Sequence, residues 1–146
     1  MKTVNMRLLL FLLLLTAVAC SPFKFRSQSF TPAEGETLSV MVPKGYSKVE
    51  QGLDTAGNMV RTYYYSGNTR FYVEKVNRSI EWMDTTFHVP KIHPNGAVMY
   101  KYMEDGYIYT REVRLKNYRF GYIKVPQSLE IRFDSAINHI RDQSFK

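Results

Sequence analysis

The hydrophobic periodicity of the chain changes at Pro126, and this change limits the folds that are available. Between about residue 37 and residue 125, short runs alternate apolar and polar residues, which is typical of strands. Beyond Pro126 the apolar residues recur with the period of an α-helix: Leu129, Phe133, Ala136, Ile137 and Ile140. The pattern predicts an α+β fold, a mainly antiparallel six- or seven-stranded sheet covered by a C-terminal amphipathic helix.

Turn-forming residues divide the first part of this domain into strands. The predicted strands are residues 38–42, 46–51, 59–65, 69–76, 97–103, 107–115 and 118–125. Ser66-Gly67-Asn68 and Asp105-Gly106 predict hairpin turns. Residues 77–94 fit a short helix, an irregular crossover or a strand, and these alternatives stay open.

The C-terminal helix has two possible partners, the sheet and a membrane surface. Its outer face carries charges of both signs, whereas a membrane-bound helix favours a basic face. We therefore expect it to pack on the sheet.

The N-terminal segment has the three parts of an export signal. Lys2 and Arg7 make the start basic, eight apolar residues follow from Leu8 to Leu15, and small residues lead to Cys20. Eight apolar residues are too few to span a bilayer, which needs about 20. The segment over residues 1–19 therefore predicts a cleaved signal peptide.

The sequence Ala17-Val18-Ala19-Cys20 resembles the lipobox of bacterial lipoprotein precursors, although Ala17 stands where Leu is usual. The resemblance implies lipidation of Cys20, with palmitate among the acyl chains, and cleavage before it. With Ser21 rather than Asp after the cysteine, it also implies the outer membrane, facing the periplasm. Soluble secretion after general signal-peptidase cleavage is the alternative, as is a buried N-terminal helix with an inert thiol.

Residues 20–36 predict a lipid-anchored tether, because they are rich in small polar residues, Pro and Gly without sustained periodicity. Its phenylalanines, Phe23, Phe25 and Phe30, suit either contact with the domain or insertion at the membrane interface. Residues 37–146 then form a single domain. Cys20 is the one cysteine, so no internal disulfide can form.

Charge gives a weak indication of partners. Lys2 and Arg7 account for two of the formal net charge of +7, which leaves +5 on the remainder. Such a balance suits anionic lipid or ordinary solubilising charge, and export argues against nucleic acid.

Catalytic motifs are scarce, and we predict neither an enzyme nor a cofactor. The chain has no Gly-x-Ser-x-Gly elbow, Gly-rich phosphate loop or His-Glu-x-x-His motif. Asp84, His88 and His93, with Glu81 upstream, could in principle hold a metal, but lone histidines that flank prolines in a loop are far more often solvated surface residues, so we predict no metal site. A small hydrolase or metal-dependent enzyme of the envelope is the alternative function.

The aromatic residues of the first hairpin are the strongest candidate for a binding surface. Tyr63, Tyr65 and Tyr72 are interleaved with Arg61 and Arg70, and exposed Tyr and Arg are frequent anchors at interfaces. We predict that these five residues form an aromatic sheet face that binds a protein or an envelope component such as a glycan.

The opening SVMVPKGY of the domain and its closing helix, which ends Arg141-Asp142-Gln143-Ser144-Phe145, resemble the PsbP-like group of small exported proteins. The resemblance covers residues 38–145 and implies an antiparallel sheet between helices and an assembly or accessory role. A second helix would have to come from residues 77–87. No functional residue is carried over.

Overall fold

The computed structural model describes residues 24–77 and 91–145. Its strands are β1 (Phe25–Ala33), β2 (Glu36–Pro43), β3 (Lys48–Leu53), β4 (Met59–Tyr64), β5 (Arg70–Lys75), β6 (Lys91–Ile92), β7 (Val98–Glu104), β8 (Tyr107–Leu115) and β9 (Tyr118–Pro126), and its helix is α1 (Glu130–Gln143). Short 3₁₀ turns occupy Ser66–Asn68 and Gln127–Leu129. The predicted export signal, Cys20 included, lies outside the described residues.

Two antiparallel sheets make up the β structure of the described residues. β1 and β2 form a hairpin of their own, and the other strands form a seven-stranded sheet in the order β3-β4-β5-β9-β8-β7-β6. Together with α1, the one α-helix among residues 24–77 and 91–145, this confirms the predicted α+β class and the mainly antiparallel sheet.

The β1–β2 hairpin and α1 lie over the same face of the sheet. The core between the layers combines Phe30 and Val40 of the hairpin with Phe71 and Phe120 of the sheet and Phe133 of the helix, all 2 % exposed or less. The opposite side of the sheet carries neither the hairpin nor α1, and we call it the open face.

Helix α1 packs on the sheet through the predicted apolar stripe. Phe133, Ala136, Ile137 and Ile140 are buried. The Phe133 ring lies 5.1 Å from the ring of Tyr65. Leu129 departs from the stripe: it lies in the 3₁₀ turn before the helix and is 41 % exposed.

The predicted tether over residues 20–36 is wrong for residues 25–33, which form β1. Phe30 is fully buried and Phe25 packs against the core. Of the two alternatives for these rings, contact with the domain and insertion at the membrane interface, the structure therefore shows contact with the domain. Phe23 lies outside the described residues. The sequence hides the strand because a polar edge strand with Pro32 has no sustained apolar alternation.

The other strand predictions are confirmed with small shifts at the ends. The connection Ser66–Asn68 joins β4 to β5, and Asp105-Gly106 turns with positive φ angles of 48° and 75°. Of the undecided stretch 77–94, residues 78–90 lie outside the described residues, Lys91–Ile92 form β6, and His93 begins a turn closed by Gly96 N–H donating to His93 O.

Candidate binding site on the open face

The five residues of the predicted aromatic face lie on two different faces of the sheet. In the β4–β5 pair, Tyr63 is opposite Phe71 and Thr62 is opposite Tyr72. Directly opposed residues share a face, so Arg61 and Tyr63 point to the covered face while Arg70 and Tyr72 point to the open face. The prediction of one shared face is therefore wrong.

The three predicted residues near the covered face have structural partners. Tyr63 is fully buried. Tyr65 follows the end of β4, and its hydroxyl donates to Pro43 O at 2.6 Å. Arg61 Nε donates to Gln51 Oε1 at 2.6 Å, and its guanidinium lies 5.7 Å from the ring of Phe30. Burial is the largest cause that raises the pKa of Tyr63 and Tyr65.

A cavity of about 350 Å³ on the open face brings the other two predicted residues together with polar residues of β8 and β9. Its lining is Asp54, Val60, Thr62, Tyr64, Arg70, Tyr72, Glu74, Thr110, Glu112, Arg119 and Ile123. β4, β5, β9 and β8 are consecutive neighbours in the sheet and all contribute lining residues, so the cavity spans four strands.

Tyr72 crosses a whole strand to reach its partner. Its hydroxyl, on β5, donates to Glu112 Oε2 on β8 at 2.7 Å and passes over Gly121 of the intervening β9. A Cβ on Gly121 would lie 3.0 Å from that hydroxyl and would collide with Arg111 O. Burial raises the pKa of Tyr72 well above its usual value, and the Glu112 carboxylate adds to the rise. Tyr72 therefore stays protonated and acts as a donor.

Glu112 also accepts a hydrogen bond from Arg114. Arg114 Nε lies 2.7 Å from Glu112 Oε1, and the two residues are 7 % and 3 % exposed. The Arg114 guanidinium stacks 5.2 Å from the ring of Tyr100, which is 1 % exposed. A buried carboxylate is stable only when its oxygens accept such bonds, and both oxygens of Glu112 do.

A second buried carboxylate, Glu74, lies at the other end of the floor. Arg119 donates to its Oε2 through Nε at 2.8 Å and Nη2 at 2.5 Å, and Asn58 Nδ2 donates to its Oε1 at 3.0 Å. Burial raises the pKa of Glu74, and Arg119 offsets part of that rise. Burial lowers the pKa of Arg119, but Glu112 and Glu74 outweigh it, so the net shift is upward.

The rim of the cavity is an aromatic ring between two cations. Lys48 Nζ and the Arg70 guanidinium each lie 5.5 Å from the centre of the Tyr64 ring. The Tyr64 hydroxyl donates to Glu50 Oε2 at 2.5 Å, and this hydrogen bond raises the pKa of Tyr64. Arg70 is exposed, and its charge contributes to lowering the pKa of Glu50 beside the rim, after the hydrogen bonds that Glu50 accepts from Lys48 and Tyr64.

The sequence analysis did not predict the charged floor, because the pattern within a single strand makes a charged residue look solvent-facing. Glu74, Glu112 and Arg119 each occupy alternate positions that usually face water. The signal that could have found them is the combination of alternating charges on three neighbouring strands with Gly121 between them. Using that signal requires the strand order, which the sequence did not supply.

Of the predicted metal candidates, Glu81, Asp84 and His88 lie outside the described residues. His93 Nδ1 lies 2.8 Å from Asn95 Oδ1 within the 93–96 turn. Within residues 24–77 and 91–145, no group of three or more potential ligands is suited to a metal ion. The metal-dependent alternative therefore stays a hypothesis.

Comparisons with protein-family models, curated protein sequences and solved structures found no match to this chain. The resemblances to lipoprotein precursors and to the PsbP-like group accordingly stay predictions. Among the described residues, α1 is the only α-helix, and none of their helices is long and apolar enough to cross a bilayer.

Proposed function

We propose that the protein is an exported, lipid-anchored, non-enzymatic envelope protein that binds a protein or an envelope component through the open face of its sheet. The observation that carries the binding proposal is the cavity on that face, with its exposed Arg70 and its Tyr64 rim. The anchor is inferred from the apolar segment that ends at Cys20.

The size and chemistry of the cavity favour recognition of one ring or side chain. About 350 Å³ is at the small end of ligand sites. Tyr and Arg are the residues that most often dominate binding energy, and both stand at the rim. A partner group that packs against this rim and accepts a hydrogen bond from Arg70, such as a carboxylate-bearing peptide or a sugar, would contact both residues.

The floor of the cavity is a hydrogen-bonded network that suits the support of a bound ligand. Glu112 is held by Tyr72 and Arg114, and Glu74 is held by Arg119 and Asn58. These bonds hold both carboxylates in place, so they form a rigid polar surface beneath a ligand.

The anchor is tested by the intact mass of the protein extracted from membranes. The expected species begins at Cys20 and carries the mass of the acyl chains. A soluble product with an unmodified thiol would contradict the anchor without affecting the binding proposal.

The binding surface is tested by placing a photo-crosslinking amino acid at Arg70 in cells that make the protein, with Ile92 as the control position. Ile92 is 76 % exposed on β6, at the far edge of the sheet. We expect adducts from position 70 that are absent from position 92. In a Tyr64→Ser background they should weaken by about 30-fold, the effect of losing an interface anchor.

The matched control is Tyr107→Ser, since Tyr107 is 40 % exposed but does not line the cavity. It should leave the adducts unchanged. Identical adducts from positions 70 and 92, or adducts from position 70 that survive Tyr64→Ser, would reject the open face as the binding surface.

A further inference from the structure

One end of the β1–β2 hairpin marks the point where the described domain meets the predicted anchor. Lys24 is the first described residue, and its carbonyl accepts the backbone N–H of Lys44 at 2.9 Å. Arg132 Nη2 donates to the carbonyls of both Lys24, at 3.0 Å, and Lys44, at 2.6 Å. The entry of the chain into the domain is therefore bound to the first turn of α1.

The link between the anchor and this end is short. Three residues separate Cys20 from Lys24. Four residue steps span at most about 14 Å, whereas the nine residues of β1 extend about 30 Å to the turn at Glu34. A lipidated Cys20 would therefore hold the Lys24 end of the hairpin close to the bilayer.

The surface at this end has the chemistry of a membrane contact. The side chains of Lys24, Arg26 and Lys44 are exposed there. The acidic residues of the hairpin, Glu34 and Glu36, lie at its opposite end, beside the turn. Basic residues within a Debye length of anionic headgroups, about 8 Å at physiological salt, are attracted to them.

The same end carries exposed apolar side chains. Ile131, next to Arg132 in the first turn of α1, is 83 % exposed, and Leu129 is 41 % exposed. An apolar side chain at the interface can enter the boundary between headgroups and acyl chains, where its burial is favourable. Basic residues of the hairpin and apolar residues at the start of α1 thus lie near the point at which the predicted anchor enters the domain, while Glu130, between the two apolar residues, is paired with Lys101.

We propose that this surface, formed by Lys24, Arg26, Lys44, Leu129 and Ile131, docks on an anionic phospholipid bilayer; the inference rests on the proposed lipidation of Cys20. Docking orients the domain, so that the Lys24 end faces the lipid and the Glu34 turn points away from it.

The test uses the full lipidated protein in vesicles of phosphatidylcholine and phosphatidylglycerol at 7:3. A lipidated Cys20 has no free thiol, so Ile131→Cys can carry a fluorescent label, and Glu34→Cys, at the opposite turn, is the control. We expect spin-labelled lipid to quench the label at 131 several-fold more than the label at 34. Leu129→Cys is a second labelling position in case Ile131→Cys perturbs the helix.

Charge reversal separates docking from simple tethering. Lys44→Glu should lower the equilibrium constant for docking about fivefold or more, since each basic residue near an anionic surface contributes roughly that factor. Lys116→Glu, the same change in the exposed β8–β9 turn, should leave the quenching at 131 unaltered. Tyr118 of β9 donates to Glu36, which places that turn at the acidic end.

The outcomes distinguish the two proposals. Equal quenching at 131 and 34, with acylated Cys20 verified by mass, would overturn the docking surface and leave the anchor in place. Equal effects of Lys44→Glu and Lys116→Glu would also overturn it. An unacylated Cys20 would overturn the anchor and the docking that depends on it.

Discussion

Glu112 and Gly121 explain, at the scale of single residues, why the open face has a stable polar floor. The Glu112 carboxylate is buried and accepts bonds from Tyr72 and Arg114. Tyr72 reaches it because Gly121 has no side chain in the path. The floor therefore depends as much on an absent side chain as on the charged groups.

Gly121→Ala should destabilise the domain. The new Cβ would collide with Arg111 O and crowd the Tyr72 hydroxyl, and overpacking of this kind costs about 1–3 kcal/mol. Urea denaturation measures the change. Gly52→Ala is the control, because a Cβ at Gly52 meets no atom within 4 Å; equal stability of the two variants would contradict the close approach.

Glu112→Gln should also destabilise the domain, because it removes the charge that balances Arg114 beside it. Breaking a buried ion pair from one side costs about 3–5 kcal/mol. The free energy of unfolding in urea is the measurement. Glu104→Gln, an exposed carboxyl at the end of β7, is the control and should change that free energy by less than about 0.5 kcal/mol.

At the scale of elements, the β1–β2 hairpin is joined to the sheet by polar contacts as well as by its core residues. Glu36, on β2, pairs with Lys75 of β5 and accepts a hydrogen bond from the Tyr118 hydroxyl of β9 at 2.8 Å. Its bond to Lys75 is the largest cause that lowers the pKa of Glu36, and Tyr118 adds to the effect. Ionised Glu36 thus links the two sheets.

This link should make stability depend on pH. A carboxyl whose pKa is lower in the folded state contributes stability above its unfolded pKa, near 4.3, and loses it as the pH falls through the folded value. Glu36→Gln should therefore lower Tm at pH 7 and have less effect at pH 3. Thermal unfolding of both proteins at the two pH values measures this.

Glu34→Gln, an exposed carboxyl in the same turn, is the control and should leave Tm unchanged at pH 7. If Glu36→Gln lowered Tm by the same amount at both pH values, its contribution would not come from the ionised form.

For the whole molecule, the hairpin is part of the domain rather than a tether. Phe30 of β1 is fully buried together with Leu38, Val40 and Val42 of β2. β1 pairs along nearly the whole length of β2. The domain therefore begins before residue 37, the boundary that the sequence predicts.

Truncation should show where the domain begins. A chain of residues 24–146 should unfold cooperatively in urea, whereas a chain of residues 37–146 should lose cooperative unfolding, because it lacks Phe30 and leaves β2 unpaired. Loss of a buried Phe side chain alone costs about 3–5 kcal/mol, a large part of the stability of such a domain. Similar unfolding curves for the two chains would instead support residue 37 as the start of the domain.

The sequence by itself determined the local structure of this protein. Period-two alternation located strands β2 to β5 and β7 to β9, turn formers located their connections, and the 3.6-residue period located α1. These features depend on near neighbours in the chain, so the order of residues carries them. The sequence also indicates an export signal and acylation of Cys20, and both stay predictions.

Only the tertiary structure decided which residues meet. The register of β4 and β5 separated Tyr63 from Tyr72, and the strand order placed Glu112 beside Tyr72, 40 residues away. A polar strand such as β1 can be identified only from its pairing with another strand, here β2. The physical reason is that strand register and layer packing arise from contacts distant in sequence, and alternation within one strand leaves them undetermined.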